Sequence, residues 1–248
     1  PKNLKKLSFG NNFNQNIDNV IFPDSLNYLY LRGQFNHNID KVNFPIGLKK
    51  LLLGNFNQNI DNVKFPIRLK KLILGFKFNQ NIDNVIFPNT LKYLCFGFGF
   101  NQNIDKVKFP KYLRILLFGF NFNQNIDNVK FPDSLKELEF GYNFNQDITK
   151  VKFPDNLKIL IFKEFTQDIT KVKFPNNLKI LNLGKYFNHS IDNVKFPDGL
   201  EILNFNSTFN KNIDKVKFSS NLKELNLGYR FNQNIDNVNF PTGLKILK

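Results

Sequence analysis

Residues 48–60 read LKKLLLGNFNQNI, and the pattern LxxLxLG followed by FNQNI returns along the chain every 21 or 22 residues. The Phe-Asn pair at its centre opens ten repeats, and one further repeat opens with Phe165-Thr166. A fixed period of this length indicates one structural unit stacked along an axis, because so short a segment cannot bury its own apolar face. The repeat therefore predicts a solenoid.

The apolar positions of the repeat predict two extended segments. When the repeat Phe is counted as position 0, all eleven repeats carry Ile at +4, Val at +7, Phe at +9 and Leu at +13 and +16. Alternation at +16 and +18 predicts a short strand with one inward face, and Val +7 with Phe +9 predicts a second one. Pro at +10 ends the second segment because it cannot donate to a ladder. We therefore expect parallel strands on two sides of a flattened coil, with Gly at +19 as a turn residue free to adopt positive φ.

The repeat fills nearly the whole chain, so residues 1–248 are interpreted as one solenoid. Solenoids need polar terminal caps, and neither end carries one, so we expect the array to be a fragment of a longer polypeptide. The single cysteine, Cys95, excludes an internal disulfide framework and favours a cytoplasmic location. The chain has no run of 18 apolar residues and no signal-peptide pattern, so a membrane is not predicted as a partner.

The segments Leu48–Gly54 and Phe56–Ile60 resemble the FNIP repeat family, which is similar to leucine-rich repeats. The resemblance implies a β-rich, right-handed coil of eleven repeats, with a parallel sheet on the concave face and short strands or irregular chain on the opposite face. One departure is the Asn at +3, as at Asn16 and Asn59, where the family usually has Pro. FNIP proteins occur mainly in amoebae and in giant viruses that infect them, which would place a viral member in the host cytoplasm. Many resemble ubiquitin-ligase receptors through an amino-terminal F-box, and no F-box is present in these 248 residues.

Polar residues form columns along the repeats. Asn at +1 and +3 can bond to neighbouring backbone and to its copy in the next coil, which is an architectural role. Asp fills +5 in nine repeats; in the other two, +5 is Thr149 or Thr170 and Asp moves to +3. Stacked carboxylates repel, so either Lys and turn amides or a row of Ca²⁺ ions must offset the charge. No glycine-rich Ca²⁺ loop accompanies the column, so no metal or cofactor is predicted.

The chain has a net charge of +15, and two columns of basic residues, at +8 and +14, contribute to it. Such charges keep an exposed sheet soluble and discourage edge pairing. The same columns could hold a nucleic acid or another polyanion through counterion release. Lys, Asn, Ile and Phe all have AT-rich codons, so genome composition accounts for part of the Lys content. Nucleic acid therefore ranks below protein as a partner.

The outward positions of the predicted strand, +15 and +17, vary between repeats and are largely apolar. An exposed apolar patch generally marks a contact surface, although these side chains could instead stack on one another or be covered by another domain. The predicted partner-binding residues are Tyr28, Tyr30, Leu52, Ile73, Tyr93, Cys95, Ile115, Leu117, Ile159 and Ile161, with an aromatic row at +20 formed by Phe76, Phe98, Phe120 and Tyr142.

No catalytic motif supports an enzyme. His37 and His189 replace Gln at +2 and are interpreted as surface substitutions, and Cys95 has no evident His partner. HExxH, P-loop, GxSxG and paired-Cys metal patterns are absent. The leading hypothesis is a non-catalytic scaffold that binds a protein on its concave sheet, with the recognition arm of an F-box ubiquitin-ligase receptor as its specific form. The alternatives are a self-associating component of a particle or filament, and polyanion binding along the Lys columns.

Overall fold

The computed structural model describes residues 2–248, which contain twelve short strands and no helix. The strands are β1 (Lys6–Ser8), β2 (Tyr28–Leu31), β3 (Lys50–Leu53), β4 (Lys71–Ile73), β5 (Tyr93–Cys95), β6 (Ile115–Leu117), β7 (Glu137–Glu139), β8 (Ile159–Ile161), β9 (Ile180–Asn182), β10 (Ile202–Asn204), β11 (Glu224–Asn226) and β12 (Ile246–Leu247). The chain divides into two compact units, of which the first ends at Phe122 and holds β1–β6. The second begins at Asn123 and holds β7–β12.

Within each unit the strands pair in parallel and in chain order. In the first unit Leu51 pairs with Leu72, and Leu72 pairs with Leu94. In the second unit Leu160 pairs with Leu181. Each pair joins residues at the same repeat position, because a repeat of 21 or 22 residues returns the chain to the same place one coil later. The predicted β-solenoid with a parallel sheet is confirmed.

The core consists of columns of identical side chains. Phe56, Phe78 and Phe100, all at position 0, have no exposed surface. Their rings stack nearly parallel, with centroids 6.2 and 6.0 Å apart in successive coils. The Leu residues at +13 and +16 and the Ile at +4 fill the remaining interior, as in Leu69, Leu72 and Ile60. Because each side chain packs on its own copy, burial depends on the neighbouring coils and not on one coil alone.

The second predicted run of strands was wrong, and the irregular alternative is the one observed. Residues 2–248 contain no strand at Val +7 or Phe +9. Turns lie on either side of this segment instead, with the Val63 N–H donating to the Ile60 carbonyl at 3.2 Å and the Leu69 N–H donating to the Pro66 carbonyl at 3.0 Å. These local hydrogen bonds use backbone groups that a ladder would need, while Val63 and Phe65 remain buried.

In the first unit, glycine is required at +19 for a reason other than the predicted positive φ. At +19, Gly184 and Gly228 adopt positive φ, whereas none of the described +19 glycines of the first unit does; Gly33, which does, lies at +20. At Gly75 a Cβ atom would lie 1.5 Å from the carbonyl oxygen of Gly54, and at Gly97 it would lie 1.9 Å from that of Gly75. Glycine is therefore required because successive backbones approach one another too closely for any side chain.

The two Asn columns have separate roles. The +1 column links coils, since the Asn57 Oδ1 accepts the Asn79 N–H at 2.9 Å, and this prediction holds. The +3 column does not reach the next coil, because the Asn59 Oδ1 accepts the Asp61 N–H at 2.7 Å within its own turn. Where Asp replaces Asn at +3, the Asp147 carboxylate accepts the Thr149 N–H in the same way. That backbone hydrogen bond lowers the pKa of Asp147 below its usual value.

Candidate functional site

The outward face of β3, β4 and β5 carries the predicted apolar strip. Leu52 pairs with Ile73, and Ile73 pairs with Cys95, so the three side chains project side by side from adjacent strands. All three are half-buried, whereas the Leu residues between the outward positions, such as Leu51 and Leu72, point inward and are buried. The alternation predicted from the sequence therefore places these three residues together.

A groove lies between this strip and the aromatic row. One wall is formed by Leu52, Ile73 and Cys95, and the other by Phe76 and Phe98. The floor is made of Gly54, Gly75 and Gly97, where the absence of side chains leaves space above the backbone. Its volume is about 350 Å³. We call this feature the apolar groove.

The aromatic row in the first unit consists of Phe76, Phe98 and Phe120. Its ring centroids are 4.8 and 4.5 Å apart in successive coils, and the rings are nearly parallel. Phe98 is 40% exposed and is stacked on both faces, whereas Phe76 is 57% exposed and is stacked on Phe98 with one face only. The fourth predicted member, Tyr142, is 46% exposed and lies in the second unit.

Basic residues flank the apolar strip on the same strands. Lys50 and Lys71 pair directly in the sheet, two residues before Leu52 and Ile73. The Lys71 Nζ lies 3.4 Å from the centre of the Tyr93 ring, a cation–π contact. Burial, followed by the adjacent charge of Lys50, lowers the pKa of Lys71 below its usual value. These lysines differ from the +8 and +14 columns, whose side chains are exposed.

Tyr30 is the predicted site residue that the structure does not leave accessible. It is only 9% exposed, because Lys6, Arg32 and Lys50 lie 5.0 to 5.4 Å from its ring centre. The atoms at these distances are the Nζ of the two lysines and the guanidinium carbon of Arg32, so the contacts are cation–π contacts. Its neighbour Tyr28 is 41% exposed. The sequence predicted the direction of Tyr30 from alternation, but could not indicate that three flanking cations would converge on it.

The remaining predicted residues are divided between the two units. Ile115 and Leu117 lie on β6 in the first unit, whereas Ile159 and Ile161 lie on β8 in the second, and all four are half-buried. In the second unit acidic residues accompany them. Glu137 has its pKa raised by burial and then by the charge of Glu139.

The Asp column carries a buried, unpartnered carboxylate oxygen in most of its repeats. One carboxylate oxygen of Asp61, Oδ1, is buried without a hydrogen-bond partner, as it is in most other repeats of the column. The second oxygen accepts the Asn59 Nδ2 at 3.2 Å. Within residues 2–248 no group of three or more His, Cys, Asp or Glu side chains is arranged to hold a metal ion.

The two histidines repeat the contact that Gln makes elsewhere at +2. The Gln80 Nε2 donates to the Asn57 carbonyl oxygen at 3.2 Å, one coil earlier. The His37 Nε2 lies 2.9 Å from the equivalent carbonyl oxygen, that of Asn14, and His189 contacts the Thr166 carbonyl. The +2 side chains therefore link coils, and the histidines take part in that linkage.

A second exposed apolar surface was not predicted. Ile21 is 95% exposed and lines a cleft with Ile46, Asp24 and Pro45 on the turn-rich side of the first unit. The signal was present in the sequence, since Ile21 and Ile86 occupy the +8 position where seven repeats have Lys. It was missed because that side was expected to be a second strand run.

The chain belongs to the FNIP repeat family. The FNIP repeat model matches residues 1–34, 56–99, 100–143, 144–186, 165–208 and 209–248. Repeat arrays of this leucine-rich-repeat-like kind are commonly protein-interaction scaffolds and are typically non-catalytic. No curated protein matches the chain significantly. Residues 2–248 contain no helix with the length and apolar character that crossing a bilayer requires.

The solved structures similar to this one include CroV588 and an internalin. CroV588, described as a novel circular LRR protein, is 34% identical over the whole of this chain, with a TM-score of 0.56. This chain spans 46% of the CroV588 chain, less than half of its length. An internalin, inlF from Listeria monocytogenes, is 15% identical over 93% of this chain and 75% of its own, with a TM-score of 0.58. The internalin similarity shows the leucine-rich-repeat-like fold alone.

Proposed function

We propose that the protein is a non-catalytic scaffold that binds another protein through the outward strand face of the first unit. The observation that carries the proposal is the apolar groove, whose two walls, Leu52–Ile73–Cys95 and Phe76–Phe98, are apolar and remain open to solvent. Removing apolar surface from water stabilises a complex by roughly 25 cal/mol for each Å² buried. The floor of the groove is backbone held by the hydrogen bonds between coils, and a preformed site reduces the entropy lost on binding.

The double substitution Leu52→Asn/Ile73→Asn tests the proposal. It replaces two groove side chains by polar ones without changing the net charge or the inward-facing Leu51 and Leu72. Ligands are first selected from a displayed library of random peptides with the wild-type chain as bait. We expect the double variant to bind the selected peptides at least about tenfold more weakly, a loss of about 1.4 kcal/mol, as measured by fluorescence anisotropy.

Ile86→Asn provides the matched control. Ile86 is 82% exposed in the same unit but lies at +8, outside the groove. It should fold and bind the peptides as the wild-type chain does. Peptides whose affinity is the same for all three proteins would contradict the proposal.

Self-association is a second candidate, and the acidic residues of the second unit favour it. Glu137 and Glu139 occupy the outward positions of β7, whereas Lys50 and Lys71 occupy outward positions of β3 and β4. Glu139 is already paired with Lys163 at 2.7 Å, so Glu137 is the carboxylate that could contact Lys50 or Lys71 of a second copy. Light scattering after size-exclusion chromatography distinguishes this candidate: a dimer that Lys50→Glu/Lys71→Glu dissociates supports it, and a monomer at all concentrations contradicts it.

A more specific form of the scaffold proposal is that the array serves as the recognition arm of a cytoplasmic ubiquitin-ligase receptor. It is supported by the family resemblance and by the apolar groove, which would hold the substrate. The test is whether the full-length natural chain co-purifies with ubiquitin-ligase subunits. In addition, Leu52→Asn/Ile73→Asn should reduce ubiquitination of a bound substrate without affecting that co-purification.

A further inference from the structure

The charge around the apolar groove indicates what kind of partner it fits. Residues 1–122 contain 17 Lys and Arg but only six Asp and no Glu, a net charge of +11. Residues 123–248 contain 18 basic and 14 acidic residues, a net charge of +4. The groove therefore lies in the more basic unit.

None of the acidic residues of the first unit lies on its outward strand face. The twelve outward positions of β1–β6 hold Lys6, Ser8, Tyr28, Tyr30, Lys50, Leu52, Lys71, Ile73, Tyr93, Cys95, Ile115 and Leu117. Five of the six Asp residues form the +5 column, and the sixth, Asp24, lines the cleft at Ile21.

Lysines near the outward strand face form ion pairs with Glu in the second unit, whereas those beside the groove do not. Lys163 pairs with Glu139 at 2.7 Å, and Lys248 pairs with Glu224 at 3.1 Å. Among the ion pairs of the described residues, none involves Lys50 or Lys71. Their backbones lie on adjacent strands, about 4.8 Å apart, while the Lys50 Nζ lies over the Tyr30 ring on β2 and the Lys71 Nζ over the Tyr93 ring on β5. A carboxylate from outside would be attracted to both.

The shape of the groove suits an extended chain. Its walls run across β3, β4 and β5, a span of roughly 10 Å at the usual strand spacing. An extended peptide rises about 3.3 Å per residue, so about three residues would span it. Lys50 and Lys71 stand at one side of the strip, within reach of side chains flanking such a segment.

We infer that the apolar groove takes an extended segment of another protein in which apolar side chains are flanked by Asp or Glu. The apolar side chains lie between the strip and the aromatic row, and the carboxylates bind Lys50 and Lys71. This inference rests on the proposed scaffold function and specifies the chemistry of its partner.

A single-stranded nucleic acid fits the same surface less well. Proteins that bind single strands stack bases on exposed aromatic faces. Here Phe76, Phe98 and Phe120 stack on one another at 4.8 and 4.5 Å, so the face of Phe98 is covered on both sides. A run of bases would therefore find a single aromatic face at the end of the row, that of Phe76, where a stacked series is needed.

The experiment is a peptide-display selection with three baits. The baits are the wild-type chain, Lys50→Glu/Lys71→Glu, and Lys64→Glu/Lys108→Glu. The third bait changes the net charge by the same amount at two exposed lysines of the +8 column in the same unit. The library consists of random peptides of about 12 residues, longer than the groove.

We expect the wild-type chain and the Lys64→Glu/Lys108→Glu control to select peptides that combine apolar residues with Asp or Glu. A synthetic peptide from this pool should bind Lys50→Glu/Lys71→Glu at least about tenfold more weakly, and should lose less than about threefold on the control. Exchanging its acidic residues for Lys should restore binding to Lys50→Glu/Lys71→Glu.

The contrary outcomes separate this inference from the proposed function. Selected peptides that lack acidic enrichment but still lose affinity for Leu52→Asn/Ile73→Asn would overturn the inference and leave the scaffold function standing. Peptides insensitive to both groove variants would overturn both. A single-stranded oligonucleotide that binds more tightly than any selected peptide, and that is weakened by Lys50→Glu/Lys71→Glu but not by the control, would assign the face to a polyanion and overturn the inference.

Discussion

At the scale of single residues, Gly75 shows how closely the coils approach. Its N-terminal coil neighbour is Gly54, and the Phe76 N–H donates to the Gly54 carbonyl at 2.7 Å. No side chain can enter this contact, since a Cβ on Gly75 would lie 1.5 Å from the same oxygen. The glycine that maintains the coil spacing is thus also the floor of the apolar groove.

We predict that Gly75→Ala destabilises the chain by about 2 kcal/mol or more, because the backbone of one coil must move away from the other. Urea denaturation followed by circular dichroism measures the change. Gly10→Ala is the control, since a Cβ there would have no atom within 4 Å, and its effect should stay within about 0.5 kcal/mol. Equal effects of the two substitutions would show that close approach is not what requires Gly75.

The sequence predicted most residue positions of the core and of the groove walls, because each is repeated eleven times in the same phase. It did not predict the buried Tyr30 or the local turn at Asn59. Both depend on which atoms the ends of individual side chains contact, and repetition alone does not specify those contacts. Asn at +1 and Asn at +3 look equivalent in sequence, yet one bonds to the next coil and the other to its own turn.

At the scale of elements, strands and turns follow different rules along the same repeat. The strand run was predictable because Leu +16 alternates with outward residues that vary. The opposite side was not, because Val +7 and Phe +9 also point inward in an irregular segment that has a turn on each side. Proline at +10 begins a turn where a strand would have continued, because its carbonyl accepts a turn hydrogen bond, as Pro66 does from Leu69.

One acidic residue, Glu201, links three adjacent coils of the second unit. Glu201 accepts hydrogen bonds from Lys179 and, at 2.7 Å, from Lys223, and these two contacts lower its pKa to about 2. Its unperturbed pKa is 4.5. Because the folded-state pKa is the lower one, the contribution of Glu201 to stability is present above pH 4.5 and is lost as the pH falls towards about 2.

We therefore predict that the melting temperature of the wild-type chain exceeds that of Glu201→Gln by a constant margin between about pH 5 and pH 8. The margin should shrink steadily below about pH 4.5 and also at high salt, since the pair is exposed. Differential scanning calorimetry across this pH range measures it. Glu164→Gln removes a carboxylate of the same unit outside these ion pairs and serves as the control. A margin that does not depend on pH would rule out the ion pairs as its cause.

At the scale of the molecule, charge is distributed unevenly along the chain, with +11 on the first 122 residues and +4 on the rest. A basic surface of this size attracts any polyanion through long-range electrostatics, without a dedicated site. Attraction of that kind should be separable from recognition by the apolar groove, which requires contact with Leu52 and Ile73.

We predict that a single-stranded oligonucleotide binds the chain weakly and that its affinity falls steeply with salt, becoming undetectable at about 0.5 M NaCl. Leu52→Asn/Ile73→Asn should leave this binding unchanged, because the substitutions alter no charge. Fluorescence anisotropy over a salt series measures both. Affinity that persists at high salt, or that depends on Leu52 and Ile73, would indicate a specific nucleic-acid site and contradict the prediction.

The in-phase pairing of equivalent residues has an evolutionary consequence. Leu51, Leu72 and Leu94 meet the same surroundings, so removal or duplication of one complete repeat would join coils that already fit each other. Gene rearrangements between near-identical segments could then lengthen or shorten the array without destroying it. The number of coils that contact a ligand could then change by whole repeats. The area of the contact would change with it, while the geometry of every remaining coil is preserved.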